Sequence, residues 1–285
     1  MTCAWKEFLC LLPPRLREEA DRLGKTDGQN LRLRLGSVPE LVCGGGSRYL
    51  SGVVTREDLH YCVNAASRYS PWSAATAARG YITAPGGHRL GLCGEAVVQM
   101  GQATGIRECT SLCIRIARDF PGISRELWKL EGSTLILGAP GWGKTTLLRD
   151  LIRQKARGGA NISVVDQRQE LFPLGLPRES RVDVLSGCPR EQGIDWVLRC
   201  MEPGYIALDE ITAREDCEAL LGAAWCGVGL LATAHAGDVN QLKQRPVYRE
   251  LLRQEIFDNF VCLRPDKTWH LERSGGWCTS GSVRY

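Results

Sequence analysis

The octapeptide Gly138-Ala139-Pro140-Gly141-Trp142-Gly143-Lys144-Thr145 constrains this chain more than any other stretch. It fits the pattern G-x-x-x-x-G-K-[ST] and stands between an apolar tetrapeptide, Thr134–Leu137, and a helix-forming run over 145–157 that Gly158 and Gly159 stop. Glycines in such a loop let backbone N–H groups converge on an anion, and the N-terminus of the next helix adds its dipole. The pattern therefore predicts a strand, a phosphate-holding loop and a helix. Lys144 is expected to reach the β- and γ-phosphates of ATP, and the Thr145 hydroxyl to take part in a Mg2+ site. Thr146 follows directly and joins the loop residues as an expected nucleotide contact.

Around this motif the chain alternates short apolar segments with helical ones. Strands are predicted at Thr134–Leu137, 162–165, Tyr205–Leu208 and 229–233, and helices at 145–157 and Arg214–Trp225. Apolar strands without polar alternation belong in a parallel sheet covered on both faces, so residues 121–285 are expected to form a doubly wound α/β nucleotide-binding core.

The strand at Tyr205–Leu208 runs into Asp209 and Glu210, which follow Lys144 by 65 and 66 positions. Side chains alternate along a strand, so two adjacent acids do different work. Asp209 is expected to hold Mg2+, directly or through water, and Glu210 to orient and deprotonate an attacking water. The apolar run Leu230-Leu231-Ala232-Thr233-Ala234-His235 ends in Thr233 and His235, which the same geometry makes candidate sensors of the γ-phosphate. Asp166, closing Val164-Val165-Asp166 ahead of Gln167-Arg168-Gln169-Glu170, either approaches the nucleotide or caps its own loop.

Residues 1–120 read differently. A helix over 5–25 is broken early by Pro13 and Pro14, and Leu and Arg alternate over 31–35 as in a half-buried strand. Thr55-Arg56-Glu57-Asp58 opens a helix toward Arg68, Pro85–Gly87 is a turn, and 91–100 and 111–118 are rich in strand formers. A smaller α+β domain with antiparallel strands is expected, joined to the core at Phe120-Pro121-Gly122.

Of the net charge of +4, all the excess lies in residues 1–130, with 17 Lys+Arg against 12 Asp+Glu; residues 131–285 carry 19 against 20. The arginines of the first part face phosphate, anionic lipid or a neighbouring subunit, or form a solvated surface. Among 13 cysteines no Cys-x-x-Cys pair occurs, and His60, His88 and His270 lack metal-ligand spacing, so no zinc site is assigned and a reducing cytosol is expected. The uncharged stretch 219–234 is too short to span a bilayer and reads as a buried helix followed by a buried strand.

With these residues in place, the chain resembles the stage III sporulation protein AA family, related to the secretion and pilus motor ATPases. The likeness runs through 80–94 and Leu112-Cys113-Ile114-Arg115-Ile116-Ala117-Arg118 as well as the P-loop, 164–170, Leu208-Asp209-Glu210-Ile211 and Ala232-Thr233-Ala234-His235. The resemblance implies a cytoplasmic, peripheral motor on the mother-cell side of an endospore former. It implies a homo-oligomer, expected as a hexamer, that powers a membrane-embedded channel or platform. It also implies an arginine from outside the core in a neighbour's site, with Arg115 and Arg118 as candidates. Gln167 stands where the relatives usually carry an acid, and Trp142 where the P-loop residue is usually small.

A nucleotide-dependent switch or scaffold with little turnover stays open from the sequence, as does a nucleic-acid-associated ATPase. The core charge of −1 and the lack of an appended nucleic-acid motif count against the last, so no nucleic-acid partner is expected.

Overall fold

The computed structural model describes residues 2–67, 80–172, 179–274 and 278–282. They form two compact units, Thr2–Asp119 and a second that begins at Phe120.

The first unit pairs β1 (Thr2–Cys3) with β8 (Arg118–Asp119) and builds an antiparallel sheet from six other strands. These are β2 (Gly28–Arg34), β3 (Glu40–Cys43), β4 (Gly46–Tyr49), β5 (Tyr81–Thr83), β6 (Arg89–Gln99) and β7 (Gln102–Arg115), in the order β4-β3-β2-β7-β6-β5. Helices α1 (Trp5–Cys10), α2 (Pro14–Gly24) and α3 (Arg56–Ser67) cover it. Proline at the first position of α2 explains the break seen in the sequence, since its missing N–H is harmless there. At α3, Asp58 accepts from the Thr55 N–H at 2.8 Å while Thr55 Oγ1 accepts from the Asp58 N–H at 3.3 Å, a reciprocal cap. Arg68, toward which this helix was expected to run, lies outside the described residues. Phe8, Leu12, Leu31, Leu33, Leu59 and Ile114 fill the core.

His88 is fully buried in this core. Its Nδ1 accepts from the Ala117 N–H at 3.0 Å, so Nε2 carries the proton and donates to the Ala4 carbonyl at 2.7 Å. Burial holds the imidazole below its ordinary pKa and keeps it neutral. The unfolded chain takes up a proton as pH falls below about 6.5 while the folded chain does not, so stability drops with acid by at most about 1.4 kcal/mol per pH unit. Urea unfolding at about pH 7 and about pH 5 measures this drop, and His88→Gln should flatten it.

The second unit is an eight-stranded sheet in the order β11-β10-β12-β13-β9-β14-β15-β16. Its strands are β9 (Thr134–Leu137), β10 (Ile162–Asp166), β11 (Val182–Ser186), β12 (Tyr205–Leu208), β13 (Gly229–Ala234), β14 (Asn259–Leu263), β15 (Thr268–Arg273) and β16 (Cys278–Ser282). Its helices are α4 (Lys144–Arg157), α5 (Arg190–Cys200), α6 (Arg214–Trp225), α7 (Val239–Gln244) and α8 (Arg249–Arg253). The strands β9 to β14 run parallel, whereas β14-β15-β16 is an antiparallel extension. The sheet is thus mixed: the expected parallel strands are extended at one edge by the antiparallel pairs β14–β15 and β15–β16.

Both faces are covered. Leu147, Leu148, Leu151 and Ile152 of α4 pack on Ile136, Val164, Ala207 and Leu231. On the opposite face Ile194, Leu220, Leu221, Leu242 and Leu251 meet Leu135, Leu137, Ile206, Leu208 and Ala232. Strand alternation sends neighbours such as Leu135 and Ile136 into different cores, which is why these strands read as unbroken apolar runs. Gly193 in α5 permits that helix to approach β10, since a Cβ there would lie 2.5 Å from Val165 Cγ1. The unit's first segment is tied down by Asp150, 1% exposed, whose carboxylate accepts from the Gly122 N–H, the Ser124 N–H and the Ser124 hydroxyl at 2.7–2.8 Å.

Candidate active site

The ends of β9, β12 and β13 bring the expected residues together. After Leu137 the chain turns through Gly138, Ala139, Pro140, Gly141, Trp142 and Gly143 into α4, with Thr146 in its first turn. Gly141 and Gly143 have φ of 77° and 99°, a conformation a side chain would strain, which is what their place in the motif demands. Trp142 is half-buried and packs against the apolar cluster that holds Leu263 and Trp269, so a large side chain is accommodated by the β14–β15 hairpin. In the turn of that hairpin Lys267 donates to the Gly141 carbonyl at 2.8 Å.

Lys144 is 7% exposed. Its Nζ donates to the Ala139 carbonyl at 3.2 Å and to His235 Nδ1 at 3.0 Å. Because the ammonium offers no lone pair, Nδ1 must be the accepting nitrogen, and the proton sits on Nε2, 3.0 Å from Glu210 Oε1. Burial holds the lysine below its ordinary pKa, against the opposing pull of Asp209 and Glu210.

Asp209 accepts from the Thr145 hydroxyl through Oδ2 and from the Thr233 hydroxyl through Oδ1, each at 2.8 Å. Thr233 also accepts from the Glu210 N–H at 2.9 Å and is fully buried, so its hydroxyl is committed to the two acids. Glu210 itself has φ 57°, a left-handed conformation uncommon outside glycine and frequent at functional sites. That turn brings its carboxylate between His235 and Arg168, whose Nη1 lies 2.8 Å from Glu210 Oε2.

Asp166 lies 2% exposed and accepts from the backbone N–H groups of Glu170, Leu171 and Phe172 at 2.8–3.0 Å. Burial raises its pKa despite those donors. Of its two readings, loop capping is the one its contacts describe. Arg149 of α4 grips the same loop from the other side, donating to the carbonyls of Leu171 and Glu170 at 2.5 and 2.6 Å. Arg115 is exposed at the end of β7, and Arg118 stands in β8 opposite Cys3.

Sequence reasoning missed four basic residues here: Arg149, Arg168, Arg190 and Lys267. Arg190 opens α5, is 7% exposed, donates to the Asp209 carbonyl at 3.1 Å and pairs with Asp216 at 3.7 Å, fixing the turn after β12. Arg168 lies within the 164–170 segment of the family likeness but carries no assigned role there; Arg149, Arg190 and Lys267 belong to no local motif, so no signal short of the fold marks them.

The residues fit a nucleotide and its metal. Lys144 is a buried cation that no carboxylate salt-bridges among the described residues, and oxygen donors from Thr145 and Asp209 lie within 2.8 Å of each other. Hard oxygen ligands of this kind, supplemented by water, are what Mg2+ takes.

The family model described as "Sporulation stage III, protein AA" matches residues 7–271. The Bacillus subtilis (strain 168) protein named stage III sporulation protein AA is 36% identical over 249 residues, covering 82% of this chain and 81% of that protein. Among solved structures, the pilus retraction motor PilT with bound ADP superposes with a TM-score of 0.60 at 16% identity, covering 93% of this chain and 80% of that one. The Legionella pneumophila ATPase DotB gives 0.57 at 17% identity, covering 94% and 81%. The fold is therefore that of the P-loop secretion and pilus motor proteins. No helix of the described residues is long and apolar enough to cross a membrane.

Proposed function

The chain belongs to the stage III sporulation protein AA family, and on that premise we propose that it is an ATPase whose turnover drives a membrane-embedded channel or platform during endospore formation. The observation that carries this reading is the linked set Lys144, His235, Glu210, Thr233, Asp209 and Thr145, gathered from two strand ends and one helix start.

In this reading the loop N–H groups and Lys144 bind the β- and γ-phosphates of ATP. Thr145 and Asp209 hold Mg2+, which when bound neutralises charge on the phosphates. Glu210 orients the attacking water and accepts its proton. His235, neutral and protonated at Nε2, links Lys144 to Glu210, so it is placed to register a change at either. Thr233 keeps the two acids in register, and Arg190 fixes their backbone.

The protein works as a homo-oligomer, a hexamer in this proposal, on the cytoplasmic mother-cell side of the membrane. A neighbour supplies Arg115 or Arg118 to the γ-phosphate, worth about 10³-fold in rate if it acts as a trans cation. Light scattering after size exclusion, with and without ATP, should show nucleotide-dependent assembly. Mixing Lys144→Ala subunits with Arg115→Ala subunits should then restore turnover at mixed interfaces. No recovery from assembled mixtures defeats the shared site for Arg115, and the same mixture with Arg118→Ala decides the other candidate.

One observation favours a switch with low turnover instead. Glu210 is engaged through Oε2 by Arg168 at 2.8 Å and through Oε1 by His235 at 3.0 Å, so both carboxylate oxygens already have partners where a water would have to deliver its proton. ATP binding without measurable turnover, in isolated and assembled protein alike, selects that reading.

A further inference from the structure

Away from the nucleotide site, the antiparallel end of the sheet gathers donors that no local sequence spacing announces. Cys262 of β14 stands opposite His270 of β15, and Glu272 follows two positions on, so strand alternation puts all three on one face. His270 Nε2 lies 3.0 Å from Glu272 Oε1, Cys262 Sγ lies 3.9 Å from the same oxygen, and one donor atom from each residue falls within 4.8 Å of the others. Zinc bonds of about 2.0–2.3 Å put tetrahedral donors about 3.3–3.8 Å apart, so small side-chain movements close the set.

We propose that Cys262, His270 and Glu272 bind a zinc-type divalent transition-metal ion that pins β15 to β14. Sulfur, imidazole and carboxylate together are the donors of zinc, whereas the oxygen donors Thr145 and Asp209 suit magnesium, so the two sites differ in chemistry. Cys262 is fully buried while His270 and Glu272 are partly exposed, which gives an ion a path from solvent and a sulfur anchor behind it. Burial and the nearby Glu272 and Asp238 push the thiol up to about 12, so it is protonated until an ion replaces that proton. Binding exchanges the ion for the thiol proton, which leaves to solvent. A second buried atom is consistent with a built site: His270 Nδ1 has no hydrogen-bond partner among the described residues. The fourth position falls to water.

The test uses the full chain, purified with Zn2+ and dialysed against a weak chelator in excess magnesium, then counted for zinc by native mass spectrometry. Wild type should keep one equivalent that both Cys262→Ser and the partly exposed His270→Asn lose, with affinity lower by at least about 10-fold. Co2+ in place of zinc should give a thiolate-to-cobalt charge-transfer band that Cys262→Ser abolishes and that an ion on Asp209 cannot produce. Circular dichroism identifies any variant that fails to fold, and His270→Asn then decides alone. Wild type without stoichiometric zinc, or folded variants that keep it on the exposed thiols of Cys10, Cys93, Cys200 or Cys226, overturns the proposal.

Discussion

Lys144→Ala is expected to abolish ATP binding while leaving the fold intact. The ammonium is the buried cation of the site, and removing one partner of a desolvated charge pair costs about 3–5 kcal/mol, or roughly 10²- to 10³-fold and more in affinity. Survival of the fold follows from what Lys144 touches. It donates to one carbonyl and one imidazole and forms no salt bridge among the described residues, and its lowered pKa reports that burial disfavours its charge. The neutral variant should melt no earlier than wild type. Calorimetric titration with ATP, paired with circular dichroism, measures both halves; wild-type affinity in a folded variant would remove the P-loop from the nucleotide site.

Glu210→Gln should retain ATP binding and lose turnover by roughly 10²-fold or more, because the amide keeps the shape of the carboxylate but cannot take a proton. The backbone at φ 57° is unaffected, and the Glu210 N–H keeps its bond to Thr233. The amide also forfeits the ion pair with Arg168, which is half exposed and therefore contributes at most about 1 kcal/mol to stability. Steady-state phosphate release alongside nucleotide affinity separates the two effects. Undiminished turnover would assign the proton to another group, and Asp166 is a poor substitute with its carboxylate committed to three backbone donors.

How far the sequence revealed this molecule depends on how local each signal is. Thr134–Leu137, Tyr205–Leu208 and Arg214–Trp225 have the observed bounds, because fully buried strands and a helix between turn residues carry their pattern within themselves. Val182–Ser186 went unread: its edge position leaves it partly exposed, with Asp183 interrupting the apolar run. Arg190–Cys200 went unread as well, since Gly193 weakens helix propensity and is needed for contact with β10 rather than for the helix. Lys144, Thr145, Asp209 and Glu210 stand together in the folded chain, linked through His235 and the Thr145–Asp209 hydrogen bond. The roles of Thr233 and Arg190 depend on partners 24 and 19 positions away, a relation that only the assembled sheet creates.

The tie at Asp150 bears on how this protein can be divided. A fragment cut just before β9, at Glu131, would retain the sheet, the P-loop and every residue of the nucleotide site, and would look complete on a map of the chain. It would nevertheless strand a carboxylate that is 1% exposed, because the Gly122 and Ser124 donors lie on the discarded side of the cut. The cut removes those three donors together with the apolar side chains of Ile123 and Leu127, from a domain whose total stability is ordinarily about 5–15 kcal/mol. The workable boundary for dissection is upstream of Gly122, set by one acid on the P-loop helix rather than by the first strand.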